Sequence, residues 1–324
     1  MVDSRATRFA RWRTSLARRP EFWSLAGLVA LCLLLALVSN RFVSWDNFSN
    51  IGRQVSINAI IATGMTVVII TGGIDLSVGA VMALGMTVVA GALLAGVPVA
   101  IAGLAGLGTG LLAGAINGVL IAWARLPAII VTLAMMEIPR GLALLYTGGY
   151  PQTGLPAEFG ALGRGTIAGW QAPTLVMLAV VIGAGLLMQR TVAGRYFYAI
   201  GGNEEAARLS GVAVARYRIL AYVLSGATAA LAGLVLTSRL MSGQPNAGNG
   251  YELDAIAAVV LGGTSIFGGT GSIAGTLIGA LTLGVLNNGL NLLGVSPYTQ
   301  KVLKGVIILL AIFVAGSRRE TKGR

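Results

Sequence analysis

Ten apolar runs, separated by short polar or glycine-rich breaks, constrain this chain more than any other feature. Of its 324 residues, 56% are hydrophobic and only 10% are charged, whereas soluble domains average roughly 25% charged residues. A membrane-spanning helix needs about 20 apolar residues. The sequence therefore predicts an all-α polytopic membrane protein with about ten transmembrane helices. The runs lie near 22–39, 55–71, 77–96, 98–122, 127–147, 172–189, 217–237, 253–266, 272–292 and 299–316.

Two of the breaks are too short for ordinary loops. Residues 72–76 read Gly-Gly-Ile-Asp-Leu and residues 267–271 read Phe-Gly-Gly-Thr-Gly. Irregular backbone at membrane depth is tolerated only where protein or a cavity satisfies its polar groups. We therefore expect broken helices at both places, and run 253–266 is short for a full span.

The basic residues cluster at the ends of the apolar runs. The net charge is +12, with 23 Lys and Arg against 11 Asp and Glu. If both termini are cytoplasmic, most of the basic residues face the cytoplasm, as the positive-inside rule requires. This placement favours contact with anionic lipid rather than nucleic acid. We expect one transmembrane domain, 22–316, between basic cytoplasmic tails at 1–21 and 317–324.

The composition excludes most enzyme chemistry. The chain contains no histidine and a single cysteine, Cys32, so a Ser/His/Asp triad, an imidazole or thiolate metal site and an intrachain disulfide are all excluded. A phosphate-binding G-x-x-x-x-G-K-[ST] loop is also absent. We therefore predict no catalytic residue, no metal site, no cofactor and no ATPase site in this sequence.

The longest predicted internal segment, 190–216, contains a short helix with clear start and stop signals. Asn203 is a favourable N-cap, and Glu204 and Glu205 lie in the first turn, where the helix dipole favours acids. Glu204 and Arg208 are spaced as an i,i+4 ion pair, and Gly211 suits the left-handed position after the helix. A helix this short is unstable alone, so it is either a plain surface helix or a docking element for a partner.

The same segment carries a specific resemblance. Glu205-Ala206-Ala207, with Gly211 four residues after the last alanine, resembles the EAA motif of ABC importer permeases, although the Ile-x-Leu-Pro ending is absent. Segments 55–84, 194–212 and 250–298 extend the similarity from about residue 40 to 316. Together they resemble the permease subunit of ribose-type sugar ABC importers, a family that also serves other sugars.

The resemblance implies a permease that forms a sugar path by alternating access, with ribose or a similar monosaccharide as substrate. It implies a separate cytoplasmic ATPase, a periplasmic sugar-binding protein, a second copy of the chain and a place in the bacterial inner membrane. The alternative is a stand-alone secondary transporter or facilitator, which would depend on an ion gradient instead of ATP. The residues expected to couple to the ATPase are Asn203, Glu204, Glu205, Ala206, Ala207, Arg208 and Gly211.

Neutral polar residues inside the apolar runs are candidates for the path. Polar groups in a membrane are costly, and amides and hydroxyls can bind sugar hydroxyls weakly. Hydrogen bonds between helices are the other interpretation. The candidates are Gln54, Asn58, Thr66, Asn117, Asn287 and Asn288.

Acidic residues at the starts of runs have structural and functional interpretations. Asp75 is predicted to cap the next helix, with ion coupling as the alternative. Glu137 and Arg140, three residues apart, are expected to form an ion pair. Glu252 and Asp254 either stabilise the start of a helix or contact the binding protein.

Glycines recur every four residues in two of the runs. One series is Gly106, Gly110, Gly114 and Gly118, and the other is Gly271, Gly275 and Gly279. Such spacing lets helix backbones approach closely. The contact lies either within the chain or between subunits.

Overall fold

Every apolar run predicted from the sequence forms a helix in the computed structural model, which describes residues 20–320. Most of the predicted tails, 1–21 and 317–324, lies outside the described residues, because the structure does not describe 1–19 and 321–324. The last helix continues to residue 320, so 317–320 is helical rather than part of a tail. The helices are α1 (Pro20–Val38), α2 (Trp45–Ile70), α3 (Val78–Leu94), α4 (Val99–Ala122), α5 (Ala128–Thr147), α6 (Ala161–Arg164), α7 (Ala172–Arg190), α8 (Val192–Gly202), α9 (Glu204–Leu209), α10 (Val214–Leu240), α11 (Tyr251–Leu261), α12 (Ile273–Leu292) and α13 (Pro297–Glu320).

Within residues 20–320, seven helices are long and apolar enough to cross a membrane. The apolar helix α3 has 17 residues and α11 has 11. The chain is therefore an all-α polytopic membrane protein, and the count of ten spans stays a prediction. The seven are α1, α2, α4, α5, α7, α10 and α12.

The segment between α5 and α7 is the main irregular region. A 3-10 turn at Ala157–Gly160 leads into α6, and strands β1 (Thr166–Ile167) and β2 (Trp170–Gln171) form a small antiparallel hairpin. An antiparallel bridge joins Gln152 to Gly243, in the loop after α10. These contacts hold segments 148–171 and 238–252 against each other.

Helices α2 and α10 occupy the centre of the bundle. In its most apolar stretch, 83% of the residues of α2 are buried, against 6% in α1, which lies at the periphery. Helix α10 packs on α2, α3 and α4, while α12 packs on α1, α2 and α11. Ser56, Thr63 and Thr66 of α2 are therefore buried in protein, whereas Asp46, Asn50 and Gln54 in its first half are exposed.

The glycine series lie at contacts within the chain. A Cβ on Gly110 or Gly114 would overlap carbonyl oxygens of α10, and one on Gly275 or Gly279 would overlap those of residues 258–262. Only glycine permits these backbones to approach so closely. Of the two predicted interpretations, packing within the chain is confirmed for these residues.

Both predicted breaks are confirmed as non-helical. Residues 71–77 connect α2 to α3, with Gly72 at a positive φ of 82°. Residues 262–272 connect α11 to α12, and the α12 N-cap, Ser272, accepts a hydrogen bond from the Gly275 amide at 3.0 Å. The Gly269 amide donates to the Ile70 carbonyl at 2.9 Å, and Gly201 of α8 lies against both groups. Both breaks therefore lie at the end of the bundle that carries α8.

Candidate functional site

The predicted coupling helix, α9, is present and is capped at both ends. The Asn203 side chain accepts from the Ala206 amide at 2.9 Å. After the helix, Gly211 adopts a φ of 84°. The Gly211 amide donates to Arg208 and the Val212 amide to Ala207, as in a Schellman motif. The N-cap and the glycine stop predicted from the sequence are confirmed, and the direction of the chain on both sides of α9 is fixed.

The two alanines of the EAA motif face opposite ways. Ala207 is 5% exposed and packs into its own chain, whereas Ala206 is exposed. Ala207 is therefore covered by its own chain, and only Ala206 of the pair is accessible to a partner. The coupling role of this segment stays a prediction. Leu209 is 76% exposed beside Ala206, so the outward face of α9 carries a small apolar patch next to the exposed side chains of Glu205 and Arg208.

The ion pairs of α9 differ from the predicted one. Glu204 pairs with Arg218 on α10 at 2.7 Å instead of with Arg208. Arg208 pairs with Glu205 at 2.6 Å. The hydrogen bond from Arg208, and then its charge, lower the pKa of Glu205, so this carboxylate is ionised at neutral pH. The pair to Arg218 links α9 to a central helix, a link across 14 residues that local spacing cannot reveal.

Beneath α9, three chain segments meet at what we call the glycine junction: Ile70, Gly201 and Gly269. The Gly269 amide donates to the Ile70 carbonyl, and a Cβ on Gly201 would overlap both groups. Nearby, the Tyr198 hydroxyl donates to the Gly271 carbonyl at 2.9 Å. The junction connects the coupling segment directly to α2 and to the break before α12.

Three of the predicted path residues are buried in contacts between helices. The Thr66 hydroxyl lies 2.7 Å from that of Thr276. Asn117 donates to the Ser77 hydroxyl at 2.9 Å. Asn288 exchanges two hydrogen bonds with Asn47, at 2.8 and 3.1 Å. For Thr66 and Asn288 the structure shows the packing interpretation. Asn117 is packed through its amide nitrogen only, because its Oδ1 is buried and accepts no hydrogen bond from the described residues. The structure does not bring all six candidates into one cavity.

The other three candidates keep free polar groups. Gln54 is exposed and lines a cavity of about 460 Å³ with Arg239 and Asn246. Asn58, one turn along α2, donates to the Asp254 carbonyl at 3.4 Å. Its Oδ1 atom, like that of Asn287, is buried and accepts no hydrogen bond from the residues that the structure describes. Such atoms are available to a ligand or to water.

Asp75 does not cap α3 in the predicted way. Its Oδ1 accepts from the amide and hydroxyl of Ser77, at 3.0 and 2.6 Å, and its Oδ2 accepts from the Ser225 hydroxyl at 2.8 Å. Ser77 is the N-cap residue. Asp75 is only 1% exposed, so it ties the 71–77 break to α10 rather than closing the first turn of α3.

Charged residues at the opposite end of the bundle hold the segment after α10. Arg140 forms no ion pair with Glu137 within residues 20–320, contrary to the prediction. Instead, its Nη1 donates to the carbonyls of Pro245 and Ala247, at 2.6 Å each. Carbonyl oxygens of a fixed loop satisfy this guanidinium better than an exposed glutamate one turn away.

Both acidic residues predicted at the start of α11 lie in its first turn. Glu252 accepts from the Gly250 amide at 3.1 Å. Asp254 forms an ion pair with Lys304 on α13 at 2.9 Å. Both acids thus lie at the helix start, but Asp254 also ties α11 to α13, and the choice between helix-start stabilisation and contact with a binding protein stays open.

Sequence reasoning missed Leu209, Arg218 and helix α8. The sequence signal for Leu209 is that it is the one large apolar side chain in the segment Glu204–Leu209. Helix α8 carries its buried side chains, Phe197 and Ile200, three residues apart, a helical spacing inside a segment treated as a loop.

The chain matches a family model over most of its length. The family is described as "Branched-chain amino acid transport system / permease component", and the match covers residues 47–312. The chain belongs to this permease family. Because it belongs to this family and has seven helices long and apolar enough to cross a membrane within residues 20–320, the permease is a multi-pass transport component of the bacterial inner membrane.

Several relatives of the permease are named for the transport of pentoses. It is 50% identical to the ribose import permease of Bacillus subtilis (strain 168) over 290 residues, which cover 89% of this chain and 90% of the relative. It is 50% identical to the ribose import permease of Escherichia coli (strain K12) over 299 residues, 90% and 93% of the two chains.

The L-arabinose transport system permease of the same E. coli strain is 40% identical to the permease over 303 residues, 93% and 92% of the two chains. No solved structure matches the permease. The resemblance predicted from the sequence is confirmed.

Proposed function

We propose that the permease forms the translocation path of an ATP-driven importer for a monosaccharide, with ribose as the first substrate to test. It works with a separate cytoplasmic ATPase, a periplasmic sugar-binding protein and a second copy of itself, and has no ATPase site of its own. Relatives at 50% identity are named as ribose import permeases, which supports a pentose over the amino acids in the family description.

One observation carries the coupling role: the apolar patch that Ala206 and Leu209 form on α9, beside the exposed Glu205–Arg208 ion pair, has no cover within residues 20–320. Leu209 is 76% exposed and Ala206 is exposed, while caps at both ends hold the helix in place. An ATPase groove would bury this face. The pair from Glu204 to Arg218 and the glycine junction then pass its movement to α10 and α2.

The path begins, on this proposal, at the cavity that Gln54 lines, with Asn58 one turn deeper on α2. Arg239 and Asn246 add donors and acceptors at the mouth of this cavity. The unpaired Oδ1 atoms of Asn58 and Asn287 suit brief hydrogen bonds to sugar hydroxyls. Glu252 and Asp254 lie at the same end, where a binding protein would dock.

The experiment compares the substitutions Leu209→Ser and Val192→Ser in proteoliposomes that contain the permease, its ATPase and the binding protein. Val192 is the matched control, because it is an exposed apolar residue of the same segment outside α9. Burial of a leucine contributes about 1.5–3 kcal/mol, so Leu209→Ser should weaken co-purification of the ATPase by on the order of tenfold or more. ATP-driven ribose uptake should fall with it.

Val192→Ser should behave as the unaltered permease does. Equal uptake and equal ATPase recovery for both variants would remove the coupling role of α9. Uptake that depends on an ion gradient and not on ATP would favour the stand-alone transporter instead.

A further inference from the structure

A cavity of about 1030 Å³ opens beside α9 and is lined by four arginines. They come from three elements: the α4–α5 connection, α9 and the start of α10. We call this cavity the arginine pocket; its arginines are Arg125, Arg208, Arg216 and Arg218.

The arginine pocket carries unbalanced positive charge. Glu205 neutralises Arg208, and Glu204 neutralises Arg218. Arg125 and Arg216 are exposed, and neither side chain forms a hydrogen bond or an ion pair with any residue in the described part of the chain. Two guanidinium groups are therefore free to bind a phosphate, which they can contact through paired hydrogen bonds.

Apolar side chains also line the same cavity. Trp123 is 70% exposed and Leu126 is 45% exposed, on either side of Arg125. Tryptophan at the end of a membrane helix lies at the level of the lipid headgroups. A soluble anion would leave these side chains in water, whereas a lipid would cover them with its glycerol and acyl chains.

We propose that the arginine pocket binds the phosphate of an anionic phospholipid from the cytoplasmic leaflet. This inference rests on the proposed function for the cytoplasmic position of α9. The bound headgroup bridges the α4–α5 connection to the start of α10, which Glu204 ties to α9. It thereby holds the coupling helix in the position that the ATPase engages.

The test measures lipid retained by the full-length permease. The protein is reconstituted in phosphatidylcholine with a minor share of phosphatidylglycerol, extracted in mild detergent and weighed by native mass spectrometry. The variant R125Q/R216Q should retain less phosphatidylglycerol by on the order of thirtyfold, because each juxtamembrane charge contributes roughly a factor of five to the attraction for anionic lipid.

The matched control is R190Q/R195Q. These arginines are exposed at the same end of the bundle but do not line the pocket. The control should retain phosphatidylglycerol as the unaltered protein does, and its ATP-driven uptake should still rise with the phosphatidylglycerol content of the vesicles. Uptake by R125Q/R216Q should no longer respond to that content.

Three results would overturn the proposal. Equal lipid loss in both double variants would show a nonspecific charge effect. Displacement of the lipid by inorganic phosphate, with tight phosphate binding in its absence, would make the cavity a site for free anions. Loss of the ATPase from R125Q/R216Q with lipid retention unchanged would assign the arginines to the protein partner.

Lipid retention is measured without a transport assay, so the lipid-site proposal and the importer proposal can fail separately. Specific retention in a permease that does not respond to ATP would leave the lipid site standing and remove the importer. ATP-driven uptake with no specific lipid retention would support the importer and remove the lipid site.

Discussion

Single amide side chains in α2 and α12 differ in whether their hydrogen bonds are complete. Asn288 has both its donor and its acceptor engaged by Asn47. Asn58 has a partner for its amide nitrogen only, and its Oδ1 is buried without one among the described residues. A buried acceptor left unpaired costs about 1–3 kcal/mol, and a passing hydroxyl would offset this cost. Asn58 is therefore a better path candidate than Asn288.

We expect Asn58→Leu to lower ribose uptake by about threefold to tenfold, because one hydrogen bond contributes about 0.5–1.5 kcal/mol. The amount of permease in the membrane and the basal ATPase rate should not change. Thr66→Val is the contrast, since it removes the buried contact with Thr276 and should lower the melting temperature rather than uptake. A variant Asn58→Leu that fails to assemble would place Asn58 in helix packing.

Among the elements, α8 and α9 act as one unit on the bundle. Helix α8 ends at Gly202, Asn203 caps α9, and the glycine junction presses the end of α8 against Ile70. No flexible linker separates the coupling helix from α2. A displacement of α9 is therefore transmitted to the helix that carries Asn58.

Two adjacent glycines allow this transmission to be tested. Gly201→Ala should lower the melting temperature and uptake, because its Cβ would overlap the Ile70 carbonyl and overpacking costs about 1–3 kcal/mol. Gly202→Ala adds the same methyl group where no atom lies within 4 Å, and it should behave as the unaltered protein does. Thermal unfolding and ATP-driven uptake are measured on both variants. If the junction has no mechanical role, uptake per folded permease will be equal for the two even where their melting temperatures differ.

The sequence predicts the helices and their ends better than it predicts which residues contact each other. Apolar runs, Asn203 and Gly211 locate helices and their ends because these signals are local. The pair of Glu204 with Arg218, the inward face of Ala207 and the contact of Thr66 with Thr276 depend on tertiary packing, which local spacing does not contain. The candidate site is accordingly right in its residues around α9 and incomplete in their contacts.

For the whole molecule, the coupling segment and the segment after α10 lie at opposite ends of the bundle. Helix α10, of 27 residues, separates α9 from the loop that Arg140 holds. With a rise of 1.5 Å per residue, it spans about 40 Å, more than the hydrocarbon core of about 30 Å. The charge distribution predicts that the α9 end is cytoplasmic.

Single cysteines test this orientation. In a Cys32→Ala background, Ser210→Cys and Asn246→Cys place thiols at exposed positions at the two ends. An impermeant maleimide should label Ser210→Cys only in inside-out vesicles and Asn246→Cys only in right-side-out vesicles. Labelling of both from one side would contradict the predicted topology.

The shortness of α11 has a consequence for how the chain enters the membrane. Its 11 residues rise about 16 Å, roughly half of the hydrocarbon core, so the following break needs partners for its backbone. The Ser24 hydroxyl on α1 donates to the Leu261 carbonyl at 2.6 Å, and the Tyr198 hydroxyl on α8 donates to the Gly271 carbonyl. These partners are synthesised earlier. We therefore expect the break between α11 and α12 to reach its final position only after α1 and α8 are in place.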